Sequence, residues 1–304
     1  MTNPVVNEAE DRMTAHDGIG RRAAMGLIGC GAAVGSMALA APSGARVAGA
    51  RRSFNFADPA EQLRAFMMMR GALDDRLVIG GLSGRYFGVV GAQLTPMFGV
   101  VSATFTRYRP APGGGYEAVG AEFAYFTDPV SGVAIGPYRN PYTGETVMVP
   151  SGGTPLSRIF IGSDMALRLE SKIPGLSFEN TVSPPEVRGN DVWFSELTRT
   201  SSPVPGKAEA FHYSESTILH ARLNELNAFG AKRVRCETNF TNVVSWRPWL
   251  KMESHPGHMM AVGVGSYGRA VNELPAAWIA ATRVHHPELL VDPASVLAPL
   301  WNAK

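Results

Sequence analysis

Two turns of the same construction divide the stretch from 116 to 150 into three short segments. Asp128-Pro129-Val130-Ser131-Gly132 forms the first turn, and Asn140-Pro141-Tyr142-Thr143-Gly144 forms the second. Each begins with a side chain that accepts backbone hydrogen bonds, continues with a proline of restricted φ, and ends with a glycine that can adopt positive φ. Turns at such regular spacing are typical of an antiparallel meander. The sequence therefore predicts an all-β fold of the sandwich or barrel kind.

Strict alternation over 232–246 supports this fold class. One face of that segment carries every second residue, namely Val234, Cys236, Thr238, Phe240, Asn242, Val244 and Trp246. Period-two alternation is the pattern of a half-buried strand. We expect a mainly antiparallel, barrel-like meander of the lipocalin or calycin type, with a few short helices. Cys236, on the buried face, is interpreted as a small core residue and not as a nucleophile.

A helix is predicted at 57–73, ahead of the strands. Asp58 is placed to cap it, and Pro59 suits its first position. Three consecutive methionines follow at 67–69, and they have two interpretations. They either pack in the core, or they line a cavity for a hydrophobic ligand, because methionine adapts its shape to irregular surfaces.

Residues 1–50 are predicted to be an export signal. Arg21 and Arg22 precede a short, glycine-rich apolar run that ends in small residues, a pattern typical of a twin-arginine signal. The run is too short for a stable membrane span. A disordered cytosolic tail and a lipoprotein signal with Cys30 at its cleavage box are the alternatives. We expect 51–304 to form one periplasmic barrel-like domain, with no membrane span once the signal is removed.

Net charge and the common sequence motifs exclude several classes of function. The 304 residues carry a formal net charge of only +2, which gives no electrostatic basis for binding nucleic acid. No Walker, CxxC, HExxH or GxSxG motif is present. Gly263 and Gly265 are spaced like the start of a dinucleotide-binding fingerprint, but they lie in a predicted strand that no helix follows, so they indicate no phosphate site. We therefore predict no cofactor and no metal. His255 and His258 flank a Pro-Gly turn and offer two metal ligands, which leaves a metal-dependent hydrolase as a third hypothesis.

Acid–base candidates concentrate at 211–222. His212, Tyr213, Glu215 and His220 are the predicted catalytic residues there, because imidazole titrates near neutral pH and a carboxylate or phenol can orient it. In an extended strand, Tyr213 and Glu215 lie on the face opposite His212. We also expect this strand to end in a helical segment, for which Ser216 is a candidate N-cap. The alternative is a hydrogen-bonded polar cluster at the barrel mouth.

Further candidates come from other segments. Arg139 is predicted to stabilise negative charge that develops during the reaction. The predicted substrate-binding residues are Glu122, Tyr125, Tyr138, Trp246 and Trp249. The two tryptophans can form an aromatic wall, but tryptophan beside proline is also a common structural anchor. Glu122 either faces a ligand or is a solvated residue of an edge strand.

Several blocks resemble a known family. These are EFAYFTDPVSGVAIGPYRNPYTGETVMV, YSESTILHARLNEL, VSWRPWLKMESHPGHMM and NELPAAW, which together span most of residues 55–290. They are similar to a bacterial family known only as a domain of unknown function, whose members often follow twin-arginine signals. Glu253-Ser254-His255 departs from the family's more usual glycine-aspartate-arginine-like turn. The resemblance implies a barrel-like fold and the breakdown of aromatic or terpenoid molecules.

Taken together, the sequence leads to two main hypotheses. The first is an exported, cofactor-independent lyase or isomerase that acts on a hydrophobic, aromatic small molecule in a barrel cavity, for example by deformylation of a lignin-derived dimer. In it, His212 or His220 moves the proton and Tyr213 or Glu215 orients the imidazole. The second is a periplasmic lipocalin-like carrier without catalysis. Assembly into a homo-oligomer is left open in both.

Overall fold

The structure is a computed structural model that describes residues 53–150, 156–171, 173–206 and 209–303. The predicted export signal at 1–50 lies outside the described residues. In the described part, strands dominate and the helices are short, as predicted. The strands are β1 (Val78–Val90), β2 (Gln93–Pro110), β3 (Tyr116–Thr127), β4 (Pro137–Arg139), β5 (Thr146–Met148), β6 (Ser157–Ile161), β7 (Leu167–Glu170), β8 (Ser177–Val182), β9 (Glu186–Arg188), β10 (Asp191–Ser202), β11 (Phe211–Arg222), β12 (Cys236–Val244) and β13 (His258–Tyr267).

The helices lie at the two ends of the chain and in one loop. They are α1 (Pro59–Arg70), α2 (Leu223–Leu226), α3 (Ala276–His285), α4 (Glu288–Val291) and α5 (Ala298–Trp301). Single 3₁₀ turns occur at Pro248–Leu250, Val271–Glu273 and Ser295–Leu297. No helix of the described residues is long and apolar enough to cross a membrane.

The strands form one large antiparallel sheet that curls into a nearly closed barrel. Its order is β7-β6-β3-β2-β1-β13-β12-β11-β10-β8, with β9 also paired to β10 and with β4 and β5 forming a separate hairpin. The last strand, β13, pairs with the first, β1, and so joins the two halves of the chain. The outer strands β7 and β8 meet at a seam, where the Leu167 N–H donates to the Asn180 Oδ1 at 2.8 Å. The barrel-like fold prediction is confirmed.

Helix α1 packs across one end of the barrel interior. Asp58 caps it by accepting from the Ala60 N–H at 2.9 Å, and Pro59 occupies the first position, as predicted. Met67, Met68 and Met69 have no exposed surface and pack with inner-face side chains of the surrounding strands. Of the two interpretations of these methionines, core packing is the one that the structure shows.

A second apolar cluster lies at the opposite end of the barrel. Its inner-face members include Tyr86, Phe98, Phe126 and Phe240, and the loop after β12 adds Leu250. The Phe240 ring lies over Gly84, where an added Cβ would approach the ring to 2.9 Å. A side chain at that position would therefore collide with the packing of this end.

The C-terminal helices cover the outer face of β2 and β3, so both faces of β3 are buried. Trp278 of α3 donates its indole N–H to the Phe123 carbonyl at 2.7 Å. Thr282 donates its hydroxyl to Tyr125 at 3.2 Å. Tyr125, predicted to bind substrate inside the barrel, therefore lies on the outer face beneath α3.

The predicted strand that ends in a helical segment is confirmed, but the helix begins after Arg222 and not near Ser216. β11 continues as a strand to Arg222, paired with β10 along its whole length, and only α2 is helical. The leucines at 219, 223 and 226 do follow helical spacing. Pairing with two neighbouring strands supplies more backbone hydrogen bonds than an isolated helical turn, and so overrides that local pattern.

Candidate functional site

A layer of polar side chains crosses the inner face of the barrel between the two apolar ends. Three carboxyl groups belong to this layer, and Glu122, Glu196 and Glu215 are at most 5% exposed. Hydroxyl and amide side chains of the same inner face surround them, namely Ser102, Thr104, Asn180, Thr198, Thr217, Thr238 and Asn242. Carboxyl groups are rarely buried unless they are paired or hydrogen-bonded, so this layer is the principal candidate site.

Glu215 accepts hydrogen bonds from three side chains. The Tyr213 hydroxyl donates to its Oε2. Thr217 donates to Oε1 at 3.2 Å, and the Asn242 Nδ2 donates to Oε2 at 3.4 Å. Asn242 is held in this orientation because its Oδ1 accepts the Ala261 N–H at 3.1 Å. The carboxyl position is thus set by β11 together with β12 and β13.

The buried position keeps Glu215 protonated at neutral pH. Desolvation raises the pKa of its carboxyl from the ordinary value of 4.5 to about 8, and the charge of Glu122 adds to the increase. The hydrogen bonds from Tyr213, Asn242 and Thr217 lower the pKa and so oppose this effect. Glu215 can therefore give up a proton near neutral pH, and three donors are ready to stabilise the carboxylate that results.

Glu122 lies on the inner face of β3, where it accepts a hydrogen bond from the Ser102 hydroxyl. β3 is paired with β2 and β6, so the alternative of a solvated edge-strand residue is wrong. Thr104 lies directly opposite Glu122 in the strand register. The hydroxyls of Thr104 and Thr238 are buried without a hydrogen-bond partner among the described residues. Both face the barrel interior and are available to hydrogen-bond a ligand.

The third carboxyl, Glu196, belongs to an ion pair. Arg70 at the end of α1 donates to its Oε2 at 2.5 Å, and Asn180 donates to its Oε1 at 2.8 Å. Burial raises the pKa of Glu196, and the charge of Arg70 opposes that increase. Asn180 also donates to Thr198 at 2.7 Å and reaches across the seam to β7. These hydrogen bonds join helix α1 to the barrel wall.

Aromatic side chains gather at the end opposite α1. Tyr138 and Trp249, both predicted to bind substrate, pack with ring centroids 5.3 and 5.5 Å from that of Phe98. Burial raises the pKa of Tyr138 to about 12. Arg247 lies over the Tyr86 ring and donates to its hydroxyl at 3.0 Å. The structure therefore brings Tyr138 and Trp249 together in one aromatic cluster.

Three predicted catalytic residues lie away from this interior layer. His212 and His220 alternate with Tyr213 and Glu215 along β11, so they occupy the outer face. His220 contacts the Asp191 carboxylate through Nε2 at 2.7 Å and stacks on Trp193. Arg139 is exposed on β4. The expected contact of either imidazole with Glu215 or Tyr213 is therefore absent, because side chains on opposite faces of a strand cannot meet.

Sequence reasoning missed Arg70, Asn180, Glu196 and Asn242 as members of the polar layer. One signal for two of them was present in the sequence. Glu196 and Asn242 occupy positions that share a face with apolar residues, where an unpaired polar group is costly. A polar residue in an otherwise buried register indicates a hydrogen-bonded interior group.

A family model described as "Protein of unknown function (DUF1838)" matches residues 82–298. The chain belongs to this family. The resemblance inferred from the sequence blocks is thereby confirmed. The match includes Glu122, Glu196 and Glu215, whereas α1 with Arg70 precedes it. A comparison with curated proteins found no match.

In this DUF1838 chain, the predicted residues His212 and Trp246 face a cleft outside the barrel. The cleft has a volume of about 600 Å³ and lies between the outer face of β11 and the loop at 245–257. His212 and Trp246 line it together with His255 and His258. Within the described ranges, no three His, Cys, Asp or Glu side chains are grouped so that they could hold a metal ion.

Proposed function

We propose that the chain is an exported, cofactor-independent enzyme of the lyase or isomerase class that acts on a hydrophobic aromatic small molecule inside the barrel. The observation that carries the proposal is the placement of Glu215, a buried carboxyl with three hydrogen-bond donors in place, whose pKa burial raises to about 8. General acid–base catalysis requires a group of this kind, with a pKa near the working pH. The proton-transfer role that the sequence suggested for histidine is therefore reassigned to Glu215.

The proposed pair of groups is Glu122 as base and Glu215 as acid. Glu122 removes the proton of a substrate primary hydroxyl while the adjacent C–C bond breaks and releases formaldehyde. The electron pair of that bond forms a double bond and expels an oxygen at the next carbon, which Glu215 protonates. Proton return from Glu122 to Glu215 completes the cycle. Tyr213 and Asn242 stabilise the Glu215 carboxylate between the two events.

Two further features support the location and the substrate class in this proposal. The twin-arginine-like sequence at 20–22 supports export to the periplasm. The aromatic cluster of Tyr138 and Trp249 supports an aromatic substrate, because ring stacking favours flat apolar molecules.

The test is turnover of phenylpropanoid dimers that carry a primary hydroxyl, followed by formaldehyde release and chromatography of the products. We expect Glu215→Gln and Glu122→Gln to lower kcat by at least about 100-fold, as for loss of a general acid or base. Glu237→Gln is the matched control, because Glu237 is exposed on the outer face of the neighbouring strand. Activity should fall as pH rises above about 8, where Glu215 loses its proton.

The second candidate is a carrier that holds the same ligand unchanged, which the half-buried Trp249 and Tyr138 at the end of the barrel favour. Recovery of intact ligand at one equivalent per chain, with no product and no effect of Glu215→Gln, supports the carrier. Neither turnover nor binding across the dimer panel would refute both candidates.

A further inference from the structure

The outer cleft has the size and lining of a second small-molecule site. Its volume of about 600 Å³ falls within the roughly 300–1,000 Å³ that is usual for ligand pockets. Val204, Val243 and Pro248 contribute apolar surface, and Trp246 contributes an aromatic one. The site is separate from the interior layer, because His212 and Ser214 line it from the outer face of the strand whose inner face carries Glu215.

One wall of the cleft is held rigid by aromatic packing. Tyr142 packs edge-on against both Trp246 and His255, with ring centroids 5.2 and 5.0 Å apart. The Trp246 indole N–H donates to the His255 carbonyl at 3.2 Å. The Asn140 side chain ties the loop to the second turn by donating to the Leu250 carbonyl at 2.9 Å. The wall is therefore in place before any ligand arrives, which lowers the entropy cost of binding.

The same loop contains backbone strain. Lys251 and Glu253 have positive φ of 52° and 46°, a region that residues other than glycine seldom adopt. Such conformations cost about 1–3 kcal/mol each and persist where the surrounding contacts enforce them, often at binding sites. The strained residue Glu253 is itself part of the lining of the cleft.

The polar groups of the lining include several hydrogen-bond acceptors, beside the hydroxyls of Ser214, Ser245 and Ser254, which can also donate. Glu209 and Glu253 contribute carboxylates. The His255 Nδ1 lies 3.0 Å from the Pro256 carbonyl, which can only accept, so Nδ1 is the donor and Nε2 of the neutral ring is an acceptor. The Trp246 N–H is already used within the wall, so the indole presents an apolar ring to the cleft.

An aromatic wall combined with several acceptors selects a flat ligand that donates hydrogen bonds. We propose that the outer cleft binds a hydroxylated aromatic molecule of the phenol or catechol class. The ring stacks on Trp246, and its hydroxyl groups donate to the Glu253 carboxylate and the His255 Nε2. The inference does not depend on the acid–base function proposed for the interior.

Catechol and 1,2-dimethoxybenzene are matched probes, because they share the ring and differ in the two O–H donors. Binding is measured by isothermal titration and by tryptophan fluorescence on the full chain. We expect catechol to bind at one site and dimethoxybenzene at least about 10-fold more weakly, as for the loss of hydrogen bonds to charged groups. Trp246→Ala and Glu253→Gln should each weaken catechol binding at least about 5-fold.

Two control variants locate the site. Glu237→Gln, exposed elsewhere, and Glu215→Gln, inside the barrel, should leave catechol affinity unchanged. Loss of binding in Glu215→Gln would instead assign the probe to the interior and overturn the inference. Equal affinity for the two probes, or binding that requires added Zn²⁺, would also overturn it. Glu253→Gln keeps the test decisive if Trp246→Ala does not fold, because Glu253 is an exposed loop residue.

Discussion

Replacing Glu215 with glutamine should change how the stability of the protein depends on pH. The unfolded chain ionises this glutamate near its ordinary pKa of 4.5, whereas the folded chain keeps it protonated up to about 8. A carboxyl whose pKa is raised by folding stabilises the native state at low pH, and that stabilisation is lost as pH rises from 4.5 to 8. Glutamine cannot ionise, so the variant lacks this loss. The group accounts for about 2 to 3 kcal/mol between pH 5 and pH 7.

The assay is urea denaturation of both proteins at pH 5, 6 and 7, with the free energy of unfolding compared pairwise at each pH. We expect the stability of the wild type relative to Glu215→Gln to decrease by about 2 to 3 kcal/mol over this range. Glu196 also has a raised pKa, but it is present in both proteins and cancels in the difference. The free energy of unfolding of Glu237→Gln should change with pH in the same way as that of the wild type. Parallel curves for Glu215→Gln would refute the conclusion that Glu215 is protonated in the folded protein at neutral pH.

Three further substitutions test the contribution of helix α1 to the stability of the barrel. Arg70→Met should destabilise the fold by about 3–5 kcal/mol, because it leaves the buried Glu196 without its opposite charge, and adding Glu196→Gln should restore much of that loss in chemical denaturation. Met68→Ala should cost about 2–5 kcal/mol by opening a cavity, whereas Val130→Ala, 95% exposed in a turn, should change the melting temperature little. Asp58→Ala should cost about 1 kcal/mol through loss of the helix cap, while Asp58→Asn keeps an acceptor and should remain close to wild type.

The turns of the meander could be predicted because their structure depends on residues within five positions of each other. The Asp128 Oδ1 accepts from the backbone of Val130 and Ser131 at 3.0 and 2.7 Å, and Gly132 has a φ of 71°. The Asn140 Oδ1 accepts from the Tyr142 N–H at 2.9 Å. Such local hydrogen bonds need no information about the rest of the fold.

The candidate site could be predicted only in part. Tyr213 and Glu215 were correctly placed on one face of a strand, with His212 on the other, because alternation is a local property. The sequence does not say which of the two faces points inward when both carry polar residues. A polar interior reverses the usual assumption that charged and hydroxyl-bearing residues face solvent, so the two histidines were grouped with a carboxyl that they cannot reach.

What the sequence by itself determined is the strand character of the long alternating segments, the two turns of the meander and the two faces of each such strand, since these follow from backbone sterics and side-chain period. The four short strands β6 to β9 had no such signal. What only the tertiary structure decided is which distant residues meet. β13 returns to pair with β1, and the end of α1 brings Arg70 to Glu196, 126 positions away in the chain. These contacts depend on the register of many strand pairs at once. Burial of Glu215 in that assembled interior, and with it the pKa of about 8, therefore exists only in the folded barrel.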